Sequence, residues 1–192
     1  MKYYNFSTLH DITSKEELIL YVEFDGNVIN ITHECNVLLV KRPPNNSFTN
    51  NLFEFGYVNG GFGISSRLKT IKKISSNAPK IVERFEVKNL NISSLEGCPE
   101  KITDNLYCNN CTNLTDLKGI GYVGGNIYLS GCEKLSDISE LPIGFKQCIF
   151  INQTNVNFIP RHLHNVKCIY IDHNMKNKIE NLDEYLYKIK IY

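Results

Sequence analysis

The chain has 192 residues, a formal charge of +1, 42% hydrophobic and 21% charged residues, which excludes a disordered polymer and gives no electrostatic case for nucleic acid or an anionic membrane. Its longest apolar run is a few residues, and the amino terminus MKYYNFSTLHDITSKEE is polar with no basic stretch leading into an apolar one, so neither a membrane span nor a secretory signal is expected. Seven cysteines, at 35, 98, 108, 111, 132, 148 and 168, form an odd set without evident pairing, which points to a reducing cytoplasm.

Residues 1–62 keep no long period. They hold the strand-like runs ELILYVEF, NVINIT, NVLLV and LFEFGYV, with Asp25-Gly26 as a hairpin signal. β-branched and aromatic side chains suit the pleated backbone, and Asp-Gly suits the positive φ of a tight turn. Ser14 followed by Glu17 fits a capping box that opens a short helix. RPPNNSFTNN, 42–51, reads as a loop. The expectation for 1–62 is a β-rich N-terminal cap or small subdomain, with a sheet that continues into the rest of the chain. GYVNGGFG (56–63) and GIGYVGG (119–125) lack the GK[ST] ending of a phosphate loop and read as turns.

A period of about 21 residues then sets in. Phe85, Leu106, Ile127, Ile149 and Ile169 follow one another at steps of 21, 21, 22 and 20. Ile71, Ile92, Leu114, Leu135 and Val156 keep steps of 21, 22, 21 and 21, and Ile74, Leu95, Leu117, Ile138 and Ile159 keep the same steps. Within a unit the spacing is LxLxxCxxLxxL, as in Leu106, Cys108, Cys111, Leu114 and Leu117. Alternate residues of a short strand point the same way, so Leu106 and Cys108 should face a core while Tyr107 faces out.

This pattern resembles the leucine-rich repeat over about residues 64 to 174, with the family's Asn/Cys position filled by Cys111, Cys132, Thr154 and Asn174. Leu90 departs from it in the first clear unit. The short units, whose second halves are the turn-rich SLEGCPEKI, DLKGIGYVGG and ELPIGF, look like the bacterial and bacteriophage members of the class. The resemblance implies an α/β-type repeat solenoid, mostly β, of about five units over 63–174, with a short parallel sheet on one side and irregular turns on the other. Such a stack needs capped ends. After Asn174, the residues Ile179, Leu182, Leu186 and Ile189 fall at helical spacing with Asn177 as N-cap. A C-terminal helix over 178–190 is therefore expected to cap 175–192.

The CxxC of Cys108 and Cys111 raises zinc or thiol redox chemistry. A structural zinc site wants a second pair of ligands, and none follows at a compatible spacing. Cys108 occupies the inward strand position of Val87, Leu129, Ile151 and Ile171, and Cys111 the position of Cys132. Both read as small buried hydrophobes, with no metal and no cofactor. Cys148 and Cys168 precede their strand pairs on the outer face, neighbours on adjacent strands. They read as structural, a reactive pair being the alternative. His173 with Asp172 near Cys168 does not make a triad, because adjacent strand residues point to opposite faces.

The outward residues of the strand pairs are Glu86, Tyr107, Tyr128, Phe150 and Tyr170. Asn105, Asn126, Cys148 and Cys168 run along one flank, and Lys88, Asn109, Ser130, Asn152 and Asp172 along the other. Cross-strand aromatics stabilise a sheet, and exposed aromatics among asparagines also compose recognition surfaces. The expectation is a non-enzymatic, cytoplasmic protein-binding module. Its candidate binding residues are Tyr107, Tyr128, Phe150, Tyr170, Asn105, Asn126, Asn109, Asn152, Asp172, Glu86 and Lys88. The resemblance adds that the partner is a host or defence protein inhibited by a phage or bacterial effector. Two other uses of the stripe stay open: a glycan or nucleotide-type ligand, and self-association in a homo-oligomer.

Overall fold

A computed structural model describes residues 78–191 without a break, positions 72 and 74, and the segments 2–3, 21–25, 28–31, 37–39 and 54–64. The short helix expected near Ser14 and the loop 42–51 lie outside these described residues, as does Cys35. In chain order the strands are β1 (Lys2–Tyr3), β2 (Tyr21–Asp25), β3 (Val28–Ile31), β4 (Val37–Leu39), β5 (Glu54–Ile64), β6 (Ile81–Glu86) and β7 (Lys101–Ile102). There follow β8 (Leu106–Tyr107), β9 (Tyr122–Val123), β10 (Ile127–Tyr128), β11 (Cys148–Phe150), β12 (Cys168–Ile171) and β13 (Ile189–Ile191). Helix among the described residues is limited to short 3-10 turns, and none is long and apolar enough to cross a membrane.

The strands join one sheet along the path β1-β2-β3-β5-β6-β8-β10-β11-β12-β13. The first two pairings are antiparallel. Asp25 lies opposite Val28, the register left by a two-residue connection, so the Asp25-Gly26 signal marks a hairpin. From β3 onward every pairing is parallel. Leu106 pairs with Phe85 and with Ile127, Ile127 with Ile149, Ile149 with Ile169, and Ile169 with Ile189. The sequence period is thus the register of the sheet, and each coil of the chain covers the apolar stripe of the one before.

Parallel neighbours require a crossover. Here it is built from tight turns, one of which recurs at the same phase: the Cys98 N–H donates to the Leu95 carbonyl, Ile120 to Leu117 and Leu141 to Ile138, at 2.9, 3.0 and 3.2 Å. Where the chain leaves the strand, Asn89, Asn110, Gly131 and Gln153 all take a positive φ of 56, 57, 77 and 56°. Only Gly and, less easily, small polar residues adopt that conformation, which explains why no β-branched residue stands at this phase. Inside, the stripes predicted from the period are sealed: Ile92, Leu114, Leu135 and Val156 are fully buried, as are Leu95, Leu117, Ile138 and Ile159. Burial of each such side chain stabilises the fold by about 1.5–3 kcal/mol before entropy is counted.

A second, shorter parallel ladder runs Val58, Val82, Ile102, Val123. The long strands β5 and β6 carry both ladders. In the next coil they divide into β7 with β8, and then into β9 with β10.

Three expectations need correction. The helix over 178–190 does not form: 3-10 turns span His173–Asn177 and Leu182–Tyr185, and Ile189–Ile191 is a strand paired with β12. Ile179 and Ile189 extend the existing stripes, and Tyr185, 1% exposed, takes a core place while Leu186 is exposed. Stacking on a finished coil outweighs the cost of nucleating an isolated helix. Met175 then fills the position assigned to Asn174, which is exposed. Finally, GYVNGGFG is strand: the boundary at residue 62 falls inside β5, where Phe62 stacks on Phe85 at 6.2 Å. Gly60 (φ 133°) and Gly61 lie at a register shift between Val58 and Gly61, so the glycines bend a strand instead of ending it.

Two glycines in the crossover turns separate strain from crowding. A Cβ at Gly119 (φ +95°) would lie 2.6 Å from the Glu96 Cα and the Leu95 carbonyl oxygen, whereas one at Gly144 (φ +83°) meets nothing within 4 Å. Gly119→Ala should therefore cost at least about 2 kcal/mol and Gly144→Ala only about 1 kcal/mol, the part due to φ alone. Denaturant unfolding of the two variants reads the difference directly.

Candidate binding face

Four aromatic side chains emerge from consecutive strands at the same register position: Tyr107, Tyr128, Phe150 and Tyr170. Strands about 4.8 Å apart put their rings within stacking distance, and they stack. Centroids lie 4.6 Å apart for Tyr107 and Tyr128, 4.4 Å for Tyr128 and Phe150, and 4.2 Å for Phe150 and Tyr170, with interplanar angles of 10, 14 and 1°. The rings are half-buried, which differs from the exposed strip expected from sequence. Each ring covers its neighbours' faces, so what solvent meets is a row of ring edges with the phenolic hydroxyls.

The two ends of this column are cationic. The Lys88 ammonium sits 4.7 Å from the Tyr107 ring centre and 3.2 Å from the Glu86 carboxylate, an arrangement in which the ring quadrupole and the carboxylate share one cation. At the far end Lys190 of β13 takes the register position beside Tyr170. Reading 178–190 as helix concealed Lys190, although a step of 20 from Tyr170 would have found it.

The flanking polar residues divide by task. The Asn105 Oδ1 accepts the backbone N–H of Asn126 at 2.7 Å, and the Asn126 Oδ1 accepts that of Cys148 at 3.0 Å. These amides tie each strand to the next and face along the sheet, so their role is structural. Asp172 is likewise occupied: one carboxylate oxygen accepts the N–H of Gln153 at 2.7 Å and the other that of Met175 at 3.1 Å. Ser130 donates to the Asn152 Oδ1 at 3.4 Å, and the Asn152 Nδ2 is the one buried side-chain nitrogen or oxygen without a hydrogen-bond partner among the described residues. Asn109 is half-buried beside Ser130. The structure therefore brings all eleven candidates onto one face but leaves Tyr107, Tyr128, Phe150, Tyr170, Asn109, Glu86 and Lys88 as the residues available to a partner, the Asn152 amide nitrogen being buried.

The cysteines lie away from this display. Cys108, Cys111 and Cys132 are fully buried. The Cys111 thiol donates to the Val87 carbonyl at 2.8 Å and that of Cys132 to the Cys108 carbonyl at 2.9 Å. Each thus bonds to the coil before its own. Hydrogen bonds that the Cys108 thiol donates to Cys111 and Cys132, together with burial, hold it well above the ordinary thiol range. The same position in the next coil is Thr154, whose hydroxyl donates to the Ile151 carbonyl at 2.7 Å. Among the histidines, the His162 Nε2 lies 2.9 Å from the Leu141 carbonyl oxygen and His164 lies 3.3 Å from the Tyr187 hydroxyl. His173 is exposed on a turn. Among the described residues no group of three or more His, Cys, Asp and Glu could hold a metal ion.

Comparison of the chain with protein-family models, with curated proteins and with solved structures finds no match.

The column also contributes to stability. An aromatic pair adds about 0.5–1.5 kcal/mol beyond its buried area, and Tyr128 is stacked on both sides, so Tyr128→Ala should cost about 2–4 kcal/mol in unfolding free energy. Burial first, and then the neighbouring Tyr128, hold the Tyr107 phenol above its ordinary value of 10.0. A raised acid pKa favours the neutral phenol in the folded chain. The stability it brings is full below pH 10 and is lost as pH rises through the folded value. Burial also raises the Tyr185 phenol, so ultraviolet titration of tyrosinate should show a late-ionising component that loses one phenol, but does not vanish, in Tyr107→Phe.

Proposed function

We propose that the chain is a leucine-rich-repeat solenoid that works as a non-enzymatic binding module for another protein, using the face built on Tyr107, Tyr128, Phe150 and Tyr170. The observation that carries this reading is the use of the ring faces. Sugars and nucleobases bind aromatic residues by lying against a ring face, and in this column the inner faces are covered by the next ring while the outer face of Tyr107 is covered by the Lys88 ammonium. That geometry disfavours a stacked glycan or nucleotide. Ring edges and hydroxyls among amides suit a broad protein surface, where aromatic area meets polar pairing.

Rigidity supports the same reading. The stacked rings are held by their neighbours before any partner arrives, so little side-chain entropy remains to be lost on association. The polar residues still available, Asn109, Glu86 and Lys88, sit to one side and at one end, where they would set register. The resemblance of the short units to bacterial and phage repeats suggests a host or defence protein as the partner class, occluded by the docked face.

The test leaves the stack intact and changes the surface beside it. Asn109→Arg and Asn109→Glu add bulk and charge of either sign beside the rings and leave the hydrogen bond between Ser130 and Asn152 in place. Both variants should keep the wild-type melting temperature and lose at least tenfold in affinity for any protein the wild type captures from lysate and binds as purified material. A captured protein that binds both variants as tightly as wild type would place its site elsewhere on the chain. A panel of sugars and nucleotides should give no thermal shift.

A further inference from the structure

Of the six cysteines described, two occupy a place unlike the others. Cys148 and Cys168 are in-register neighbours on the parallel strands β11 and β12. Neither is in a disulfide. They are 8% and 6% exposed, whereas Cys108, Cys111 and Cys132 are fully sealed. Cys98, at 9%, lies in a turn rather than in register with another cysteine. The pair also breaks a pattern. Asn105 and Asn126 hold the next strand's N–H through a side-chain oxygen, and at the following step Cys148 stands where those amides stood, paired in register with Cys168. An acceptor is needed there, but a second thiol beside it is not.

We propose that Cys148 and Cys168 form a reversible oxidation site, a dithiol on neighbouring strands that hydrogen peroxide converts to a disulfide. Register neighbours on parallel strands are about 4.8 Å apart, inside the Cα separation of about 4.4–6.8 Å that a disulfide spans. One sulfur, as thiolate, attacks a peroxide oxygen. The O–O bond breaks, hydroxide leaves and takes up a proton as water, and a sulfenic acid remains. The second sulfur attacks the first, the S–O bond breaks, and a second water leaves with the remaining proton. Two thiols and one peroxide thus give one disulfide and two waters. A thiol reductant reverses the step by exchange.

The location ties the site to the face already described. Residues two apart on a strand share a face, so the thiols stand beside Phe150 and Tyr170, whose rings stack at 4.2 Å. Closing the bond clamps β11 to β12 under that pair. The oxidation site itself does not depend on the binding role of the face.

The experiment treats the full chain with hydrogen peroxide in mildly alkaline buffer. Burial, and then the Cys168 thiol, push Cys148 up to about 11, and the Lys167 ammonium pulls the other way, so the thiolate fraction rises with pH. After alkylation of free thiols, trypsin releases residues 147–161 and 168–176 as separate peptides. The expected result is one species joining them, lighter by two hydrogens, reversed by dithiothreitol and absent in Cys148→Ser and in Cys168→Ser. Linkage through another cysteine, separate sulfinic acids at both positions, or no linkage at a dose that oxidises free glutathione in the same tube would each overturn the proposal. Partner affinity measured on the oxidised and reduced chain is a second readout. Its failure to change would touch the proposed function and leave the oxidation site standing.

Discussion

One backbone hydrogen bond, repeated at every coil, governs the rest of the structure. The inward residue of each strand donates its N–H to the carbonyl of the outward residue on the next strand. Val87 donates to Tyr107 at 2.8 Å, Cys108 to Tyr128 at 2.7 Å, Leu129 to Phe150 at 2.8 Å and Ile151 to Tyr170 at 2.9 Å. Because buried backbone groups must be paired, a coil cannot slip by one residue without exchanging its core and surface sets. The register therefore fixes like residues over like. Asn89, Asn110, Gly131 and Gln153 share a left-handed turn, and Leu90, Cys111, Cys132, Thr154 and Met175 share a buried position. The aromatic column follows from the same constraint, since residues at one phase are held one strand spacing apart.

That constraint makes stability and display compete for the same rings. A tyrosine stacked on both sides is fixed and half-covered, and it cannot reach out as an isolated anchor would. The face can offer edges and hydroxyls in a row, with Lys88 and Glu86 at one end. Asn105, Asn126 and Asp172, which looked like ligands for a partner, spend their oxygens on backbone N–H groups, the asparagines on the next strand and Asp172 on Gln153 and on Met175 of its own turn. A ladder position is useful to a partner only where the sheet does not already use it.

The long-period features were legible in the sequence because they depend on residue type at fixed intervals. The stripes through Leu106, Leu114 and Leu117 and the outward row from Tyr107 to Tyr170 all appear where the period places them. The second ladder was missed because it shows only a single buried residue per coil, such as Ile102 or Val123, set among Thr103, Gly124 and Gly125. The segment 178–190 misled because Ile179, Leu182, Leu186 and Ile189 satisfy a helical spacing, while Ile179 and Ile189 also keep the coil period. Local periodicity cannot weigh a preformed apolar surface waiting to be covered, and in this chain that surface decides. The same holds for GYVNGGFG, whose glycines signal a turn locally while the neighbouring strand β6 offers pairing from Tyr57 to Gly63. Which asparagines serve the backbone was not legible either, since that depends on side-chain direction within a stack.

The row Asn105, Asn126, Cys148, Cys168 shows how a repeat can change chemistry without changing shape. An amide oxygen is a strong acceptor for the next strand's N–H and a thiol sulfur is a weak one, so Cys148 is a poorer tie to the next strand than the Asn126 amide, which accepts the Cys148 N–H at 3.0 Å. A stack held by every other coil tolerates such a loss at one step. In return, two sulfurs stand side by side next to the most closely parallel aromatic pair, Phe150 and Tyr170. In the sealed trio of Cys108, Cys111 and Cys132, by contrast, the thiols of Cys111 and Cys132 donate to carbonyls and no thiol reaches solvent. The same element in two settings thus has two roles: packing and capping inside the coil, and exchangeable covalent chemistry at its rim.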